Sequence, residues 1–248
     1  MSKLRVIYWM VMLFFLPHPV YSEKADPPSV VKYFPLEKRH HTQYLLFIPG
    51  GYRISGNDSW PLIFGLHYSS GSAQEYLPYW QEEAEKRGYF ILCPDARDRN
   101  RWSEKEARVL IKLLKSVLKS YRIDPKRVLL TGNSAGGIYA YYLGINHYEF
   151  FSAVAPIVGS LVRIQDAVDF GRCRAKPRFC IVHAAKDKIV PLHEAYQSYT
   201  RLNQHGFDTS FYVFQDDDHY NIYRTKEILD WFENKSPLGR LYNVRFSN

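Results

Sequence analysis

The chain alternates short apolar runs with longer segments in which apolar positions recur every three or four residues. The short runs stand near residues 43–48, 61–66, 89–93, 127–131, 151–157, 178–183 and 209–214. Their length and their Val, Ile, Phe and Tyr content are those of buried strands. Between them, residues 72–87, 104–121, 135–146, 192–205 and 221–233 carry the helical period. Residues 104–121 show it best. Leu110, Leu113, Leu114, Val117, Leu118 and Tyr121 make one stripe, and Lys105, Arg108, Lys112, Lys115, Lys119 and Arg122 make the opposite one. Strands alternating with helices predict an α/β fold, a mostly parallel sheet with helices on both faces. Gly159–Lys176 fits neither period. It predicts a flap over a cleft, too short to be a lid domain.

One junction is more specific than the pattern around it. The apolar run Val128-Leu-Leu ends in Thr131 and then Gly132-Asn-Ser134-Ala-Gly136-Gly137, with the helical segment Ile138–Ile145 behind it. Strand, Gly-x-Ser-x-Gly, helix is the pattern of a nucleophile elbow, a turn so tight that the serine is strained and its Oγ exposed. The glycines are required because side chains there would collide where strand and helix approach. Ser134 is therefore the candidate nucleophile.

A serine hydroxyl needs a base to take its proton, and in this architecture the partners follow in the order Ser, Asp or Glu, then His. Arg178–His183 reads as a strand running into Asp187, with a turn and Pro191 beyond. Thr209–Phe214 reads as the last strand, followed by Asp216-Asp-Asp-His219-Tyr220. His219 follows both acid and nucleophile on a strand-end loop. His183 falls in a strand interior, His193 and His205 in a helix, and His147 at a helix end, all positions of packing or surface residues. Asp187 is favoured over Asp166 and Asp169, which lie in the irregular stretch. Asp216, Asp217 and Asp218 read as solvating the His219 loop, or as raising the basicity of His219 by nearby charge. Ser134, Asp187 and His219 would meet at the carboxyl edge of the sheet.

Acyl transfer also needs backbone N–H groups aimed at the developing oxyanion. Ala135, after the nucleophile, supplies one. The loop His67-Tyr68-Ser69-Ser70-Gly71 after the strand at 61–66 supplies the other, at Tyr68 or Ser69.

These stretches, with Cys93-Pro-Asp-Ala96 and Tyr121-Arg-Ile-Asp124-Pro125-Lys-Arg127-Val128, resemble the α/β-hydrolases. More narrowly they resemble the poly(3-hydroxybutyrate) depolymerase-like and feruloyl-type esterases, from about Tyr44 to Trp231. One departure is His67-Tyr68 where many relatives carry His-Gly, whose glycine lets backbone approach the acyl group closely. The resemblance implies an α/β-hydrolase fold and hydrolysis of carboxylic esters through an acyl-enzyme. The rivals are a peptidase or amidase using the same triad, and a catalytically silent binding protein on the same scaffold.

The N-terminus is set apart. Lys3 and Arg5 precede the apolar run Val6–Leu16, then Pro17, Pro19 and Val20-Tyr-Ser22, the order of a cleaved export signal. The run is shorter than the roughly 20 apolar residues of a membrane span, so a retained N-terminal anchor is the lesser alternative to cleavage. Cleavage near Ser22 predicts an exported protein with an arm or edge strand over 23–42 and one catalytic domain over 43–248. Three cysteines cannot all pair within the chain. Cys173 and Cys180 can close a small loop in an oxidising compartment, while Cys180 in a buried strand reads equally as a packed thiol. Cys93 reads as packed.

Charge adds one feature. The net +8 over 248 residues falls to +6 without Lys3 and Arg5 (31 basic against 25 acidic). Lys105, Arg108, Lys112, Lys115 and Lys119 read as a solvated face or as a contact for an anionic surface. Arg97, Arg99 and Arg101 add to that field. No motif for nucleic acid accompanies the charge. There is no His-Glu-x-x-His, no paired Cys-x-x-Cys and no phosphate-binding loop, so no metal or cofactor is expected.

Overall fold

The computed structural model describes residues 29–37 and 42–235. The leader and its cleavage position near Ser22 lie outside the described residues. Eight strands form one sheet: β1 Val30–Glu37, β2 Thr42–Ile48, β3 Trp60–Leu66, β4 Phe90–Pro94, β5 Ile123–Asn133, β6 Ala153–Ile157, β7 Arg178–Ala184 and β8 Thr209–Phe214. Their order is β1-β2-β4-β3-β5-β6-β7-β8. β1 and β2 run antiparallel to their neighbours, and the rest is parallel. β1 occupies the outer edge, so part of the arm is an edge strand.

Among the described residues six α-helices cover the sheet: α1 Ala73–Tyr76, α2 Pro78–Arg87, α3 Ala107–Ser120, α4 Ala135–Asn146, α5 Leu192–Gln204 and α6 Thr225–Phe232. One apolar cluster joins the sheet to α3, α4 and α5, and a second joins the other face to α1, α2 and α6. Burial on both faces explains why β3, β4 and β7 read as continuous apolar runs without alternation. In α3, Leu110, Ile111, Leu113, Leu114 and Val117 are buried. Lys105, Arg108, Lys112, Lys115 and Lys119 are exposed.

Three of the boundaries that differ from the periodicity have a local cause. The segment 72–87 is two helices. Ser72 caps the first by accepting from Glu75 N–H at 3.2 Å, and Pro78 begins the second, where a missing N–H costs nothing. The segment 221–233 becomes helical only at Thr225. Asp218 Oδ1 takes the N–H groups of Tyr220 and Asn221, and Asn221 Oδ1 takes that of Asp218, side-chain bonds that compete with a helical turn. At the start of α3, residues 104–106 form a 3-10 turn closed by a capping box between Ser103 and Glu106.

The expectation of a flap over Gly159–Lys176 is corrected. Leu161 is buried and its N–H donates to Ser198 Oγ on α5 at 2.9 Å. Arg163 makes a two-pronged bond to Glu194 at 2.8 and 3.0 Å. Asn146 on α4 bonds both Ala167 O and Asp169 N. These anchors pin the segment against α4 and α5. Cys93, Cys173 and Cys180 are free, buried thiols, so the small disulfide loop does not form.

Candidate active site

β5 runs into α4 through Gly132–Gly137, and Ser134 takes φ 52° and ψ −113° there. A non-glycine residue keeps such a conformation only when its surroundings enforce it. The enforcement is backbone contact. A Cβ on Gly132 would come within 2.5 Å of Gly136 backbone, and one on Gly136 within 2.2 Å of Leu66 O. The turn is further pinned by Ser134 N–H donating to Ile157 O at 2.9 Å.

The structure brings the three predicted side chains together. His219 Nε2 is 2.9 Å from Ser134 Oγ, and His219 Nδ1 is 2.8 Å from Asp187 Oδ2. The other oxygen, Oδ1, accepts the N–H groups of Ile189 and Val190, each at 2.8 Å. Burial alone would raise the Asp187 carboxyl. The hydrogen bonds from His219, Val190 and Ile189 together outweigh it and hold the group below the usual carboxylate range. An ionised carboxylate bonded to Nδ1 is the arrangement in which Nε2 can accept a proton from a neighbouring hydroxyl.

Tyr68 and Ser69 line a cavity of about 450 Å³ with Ser134 and His219. Ala135 opens α4 beside it. The loop carrying Tyr68 and Ser69 is braced from below. His67 is buried: its Nε2 accepts Ala96 N–H at 3.0 Å, so its Nδ1 carries the proton and donates to Tyr68 O at 2.7 Å. Burial pushes the His67 ring below the usual imidazole range. Trp102 Nε1 donates to His67 O, and Arg99 donates to Gly71 O and Ser70 O at 2.9 and 3.1 Å. Arg99 therefore holds this loop rather than serving only a diffuse field.

The remaining walls are Tyr79, Asn133, Ile189, Tyr220 and Tyr223. The Tyr79 and Tyr223 rings stack at 3.7 Å, nearly parallel. Apart from His219 no ionisable acid or base other than tyrosine lines this cavity. Tyr76, Trp80, Tyr139 and Tyr141 are buried in the core instead. None of residues 159–176 lines the cavity, and neither Asp166 nor Asp169 reaches it.

Several contributors carried no catalytic signal in sequence. Asn133, inside the elbow pattern, accepts from Tyr76 Oη at 3.2 Å and donates to Ile222 O at 3.3 Å, tying the elbow to the His219 loop. Asp217 is buried and accepts from Arg224 at 2.8 and 2.5 Å. Asp218 caps the turn after His219. Asp217 and Asp218 thus brace the loop, where solvation or a raised His219 basicity had been expected of them, while Asp216 stands exposed. His183 lies directly behind Asp187.

The fold is that of the α/β-hydrolases. The pattern of the prolyl oligopeptidase family matches residues 162–237, less than half of the chain. A bifunctional acetylxylan esterase/xylanase of Neocallimastix patriciarum is 26% identical over 138 residues, 52% of this chain and 20% of that protein. Feruloyl esterase B of Talaromyces funiculosus is 25% identical over 161 residues, 56% of this chain and 44% of that one. The chain thus spans under half the length of these curated relatives. Among solved structures, the thermophilic esterase Est2 of Thermogutta terrifontis superposes with a TM-score of 0.65 at 17% identity, covering 86% of this chain and 96% of that one.

Proposed function

We propose that the protein hydrolyses carboxylic esters, small or polymeric, as a serine hydrolase. The observation that carries this reading is the unbroken hydrogen-bonded path from Ser134 Oγ through His219 to Asp187, placed on a strained elbow at the wall of a cavity. Ser134 attacks the acyl carbon while His219 takes its proton. The oxyanion is held by the N–H of Ala135 and one from Tyr68 or Ser69. His219 then protonates the leaving alcohol, and a water activated by the same ring releases the acid. Asp187 orients the imidazole and stabilises its charged form.

Ester is favoured over peptide by the cavity. Recognising a peptide terminus calls for a carboxylate or a cation in the wall, and tyrosine hydroxyls, an amide and an isoleucine line this one instead. The relatives whose names specify acetylxylan and feruloyl esters support the same choice, and the match to the prolyl oligopeptidase family keeps amide cleavage as the alternative. Turnover of a panel of acetyl, longer acyl and cinnamoyl esters beside matched amides tests it. Ester hydrolysis lost in Ser134→Ala is the expected result. Amides cleaved as fast as esters would reverse the assignment.

We further propose that α3 and the turn before it contact an anionic surface through Lys105, Arg108, Lys112, Lys115 and Lys119. All five are exposed, and none has an ion-pair partner among the described residues. None lines the cavity beside Ser134, so docking there leaves that cavity open. No described helix is long and apolar enough to cross a membrane. Export through the N-terminal leader remains part of this proposal.

A further inference from the structure

Asp187 has a second histidine behind it. His183 stands on β7, four residues earlier, with its side chain fully buried. Its Nε2 is 2.9 Å from Val190 O and 3.7 Å from Asp187 Oδ2. A carbonyl can only accept, so Nε2 carries the proton and Nδ1 is a bare acceptor. That Nδ1 is buried with no hydrogen-bond partner among the described residues. Such an orphan is destabilising, a cost an apolar side chain of similar size would avoid. The useful atom is therefore Nε2–H.

Its bond closes a short circuit. His183 grips Val190 O, Val190 N–H donates back to Asp187 Oδ1, and Ile189 N–H joins it on the same oxygen. With Oδ1 occupied twice, the carboxylate is turned so that Oδ2 faces His219 Nδ1. Arg163 holds the far side of the loop through Ile189 O at 2.9 Å.

We propose that His183 is a positioning residue for the reaction: by holding the Val190 carbonyl it fixes the rotation of the Asp187 carboxylate and, through it, the orientation of His219. The inference rests on the reading of Ser134, His219 and Asp187 as a catalytic triad. It also requires a neutral ring, because a protonated His183 would compete with His219 for Oδ2. The ionisable groups facing it are Asp187, His219 and, from α5, Glu194, whose carboxylate Arg163 already holds. Burial outweighs the Val190 carbonyl and the two carboxylates, and keeps the ring below the usual imidazole range.

Two substitutions separate position from shape. His183→Leu fills the space without a donor, whereas the amide of His183→Gln reaches about as far as Nε2 and keeps one. Both are assayed for kcat, KM and the pH profile of kcat/KM on an ester that the wild type turns over. His183→Leu should lower kcat roughly 10- to 100-fold, the scale of a small misplacement of reacting groups. KM should hardly move, and the acid limb should shift to lower pH because the His219 imidazolium is less well stabilised. His183→Gln should recover most of kcat and the original limb. A folded His183→Leu enzyme with wild-type kcat and limb overturns the proposal, and so does equal loss in both variants. If His183→Leu does not fold, His183→Asn, whose amide stops short of Val190 O, takes its place against His183→Gln. A wild type inert to a fluorophosphonate would sink the triad reading and this one with it. An active wild type with an unaffected variant overturns only the positioning role.

Discussion

Asp187 and His219 leave the sheet from neighbouring strands, β7 and β8, yet different forces hold the loops that carry them. The acid loop is interior. The Asp187 side chain is fully shielded, and its contacts are backbone N–H groups and a buried histidine. The base loop is superficial. It is held by the Asp217–Arg224 ion pair, by Asp218 and Asn221 bonding nearby backbone, and by Asn133 reaching Ile222 O. Tyr220, next to His219, is 74% exposed. Backbone donors in the interior fix a charge without competition from solvent, whereas a partly exposed ion pair such as Asp217–Arg224 is partly screened by salt. The acid is thus held by buried contacts, backbone N–H groups and the His183 ring, and the base mainly by partly exposed side chains.

Breaking the interior side of this contrast should have the largest effect. Asp187→Asn should keep the fold and lower turnover by about 10⁴, because the amide favours the wrong histidine tautomer. Steady-state kinetics on the folded variant measures it. A near-silent Asp187→Asn beside a severe Asp166→Asn or Asp169→Asn would move the acid elsewhere.

The surface side should yield more gently. Arg224→Met leaves Asp217 without its partner while the side chain still covers Phe214, over which the guanidinium now lies at 4.2 Å. The pair is partly buried, so roughly 1–2 kcal/mol of stability should go, between the values for exposed and buried pairs. kcat should fall roughly ten-fold, far less than for Asp187→Asn. Urea unfolding beside kinetics tests both, and a loss in kcat matching Asp187→Asn would erase the distinction.

pH should probe the interior groups through stability. His67 and His183 are held below the usual imidazole range, mainly by burial. They stay neutral in the native state, while the unfolded chain protonates them below about pH 6.5. The unfolded state then binds more protons, so stability falls as pH drops, by up to about 1.4 kcal/mol per pH unit for each ring. Asp187 works at lower pH. Its depressed carboxyl contributes stability above about pH 4 that is lost as pH falls through its folded value. Unfolding free energies from pH 7.5 to 5 should slope accordingly, and His183→Gln should flatten the slope by one proton. A flat wild-type curve would contradict the neutral, buried rings.

The smallest effect on turnover belongs to α3. Lys112→Glu with Lys115→Glu should leave hydrolysis of a soluble ester unchanged and release the protein from anionic vesicles, each basic residue near such a surface contributing about 1 kcal/mol. Equal binding by wild type and variant would return the stripe to a solvated face.

The parts legible in the sequence are those that repeat or punctuate. Period separated α3 from β3, and the glycines around Ser134 marked a turn where backbone contacts leave no room for a side chain. The order of strand-end acid and histidine picked out Asp187 and His219. What stayed hidden depends on contacts between distant segments. His183 looks like any apolar-strand residue until Val190 is folded back onto it, and its place four residues before Asp187 was the only hint. Arg99 read as diffuse charge because nothing local shows that it reaches Ser70 and Gly71. The expected flap failed for the same reason: the irregular stretch carries Leu161 and Arg163, whose partners on α5 lie more than thirty residues away.

In the proposed mechanism His219 and Asp187 make Ser134 nucleophilic. Fluorophosphonate labelling of the intact protein, located by peptide mass and followed in time, tests it most directly. Wild type should take one adduct on Ser134, Ser134→Ala none, and His219→Ala and Asp187→Asn should label far more slowly while remaining folded. Wild type left unlabelled, or labelled equally fast without His219, would contradict it.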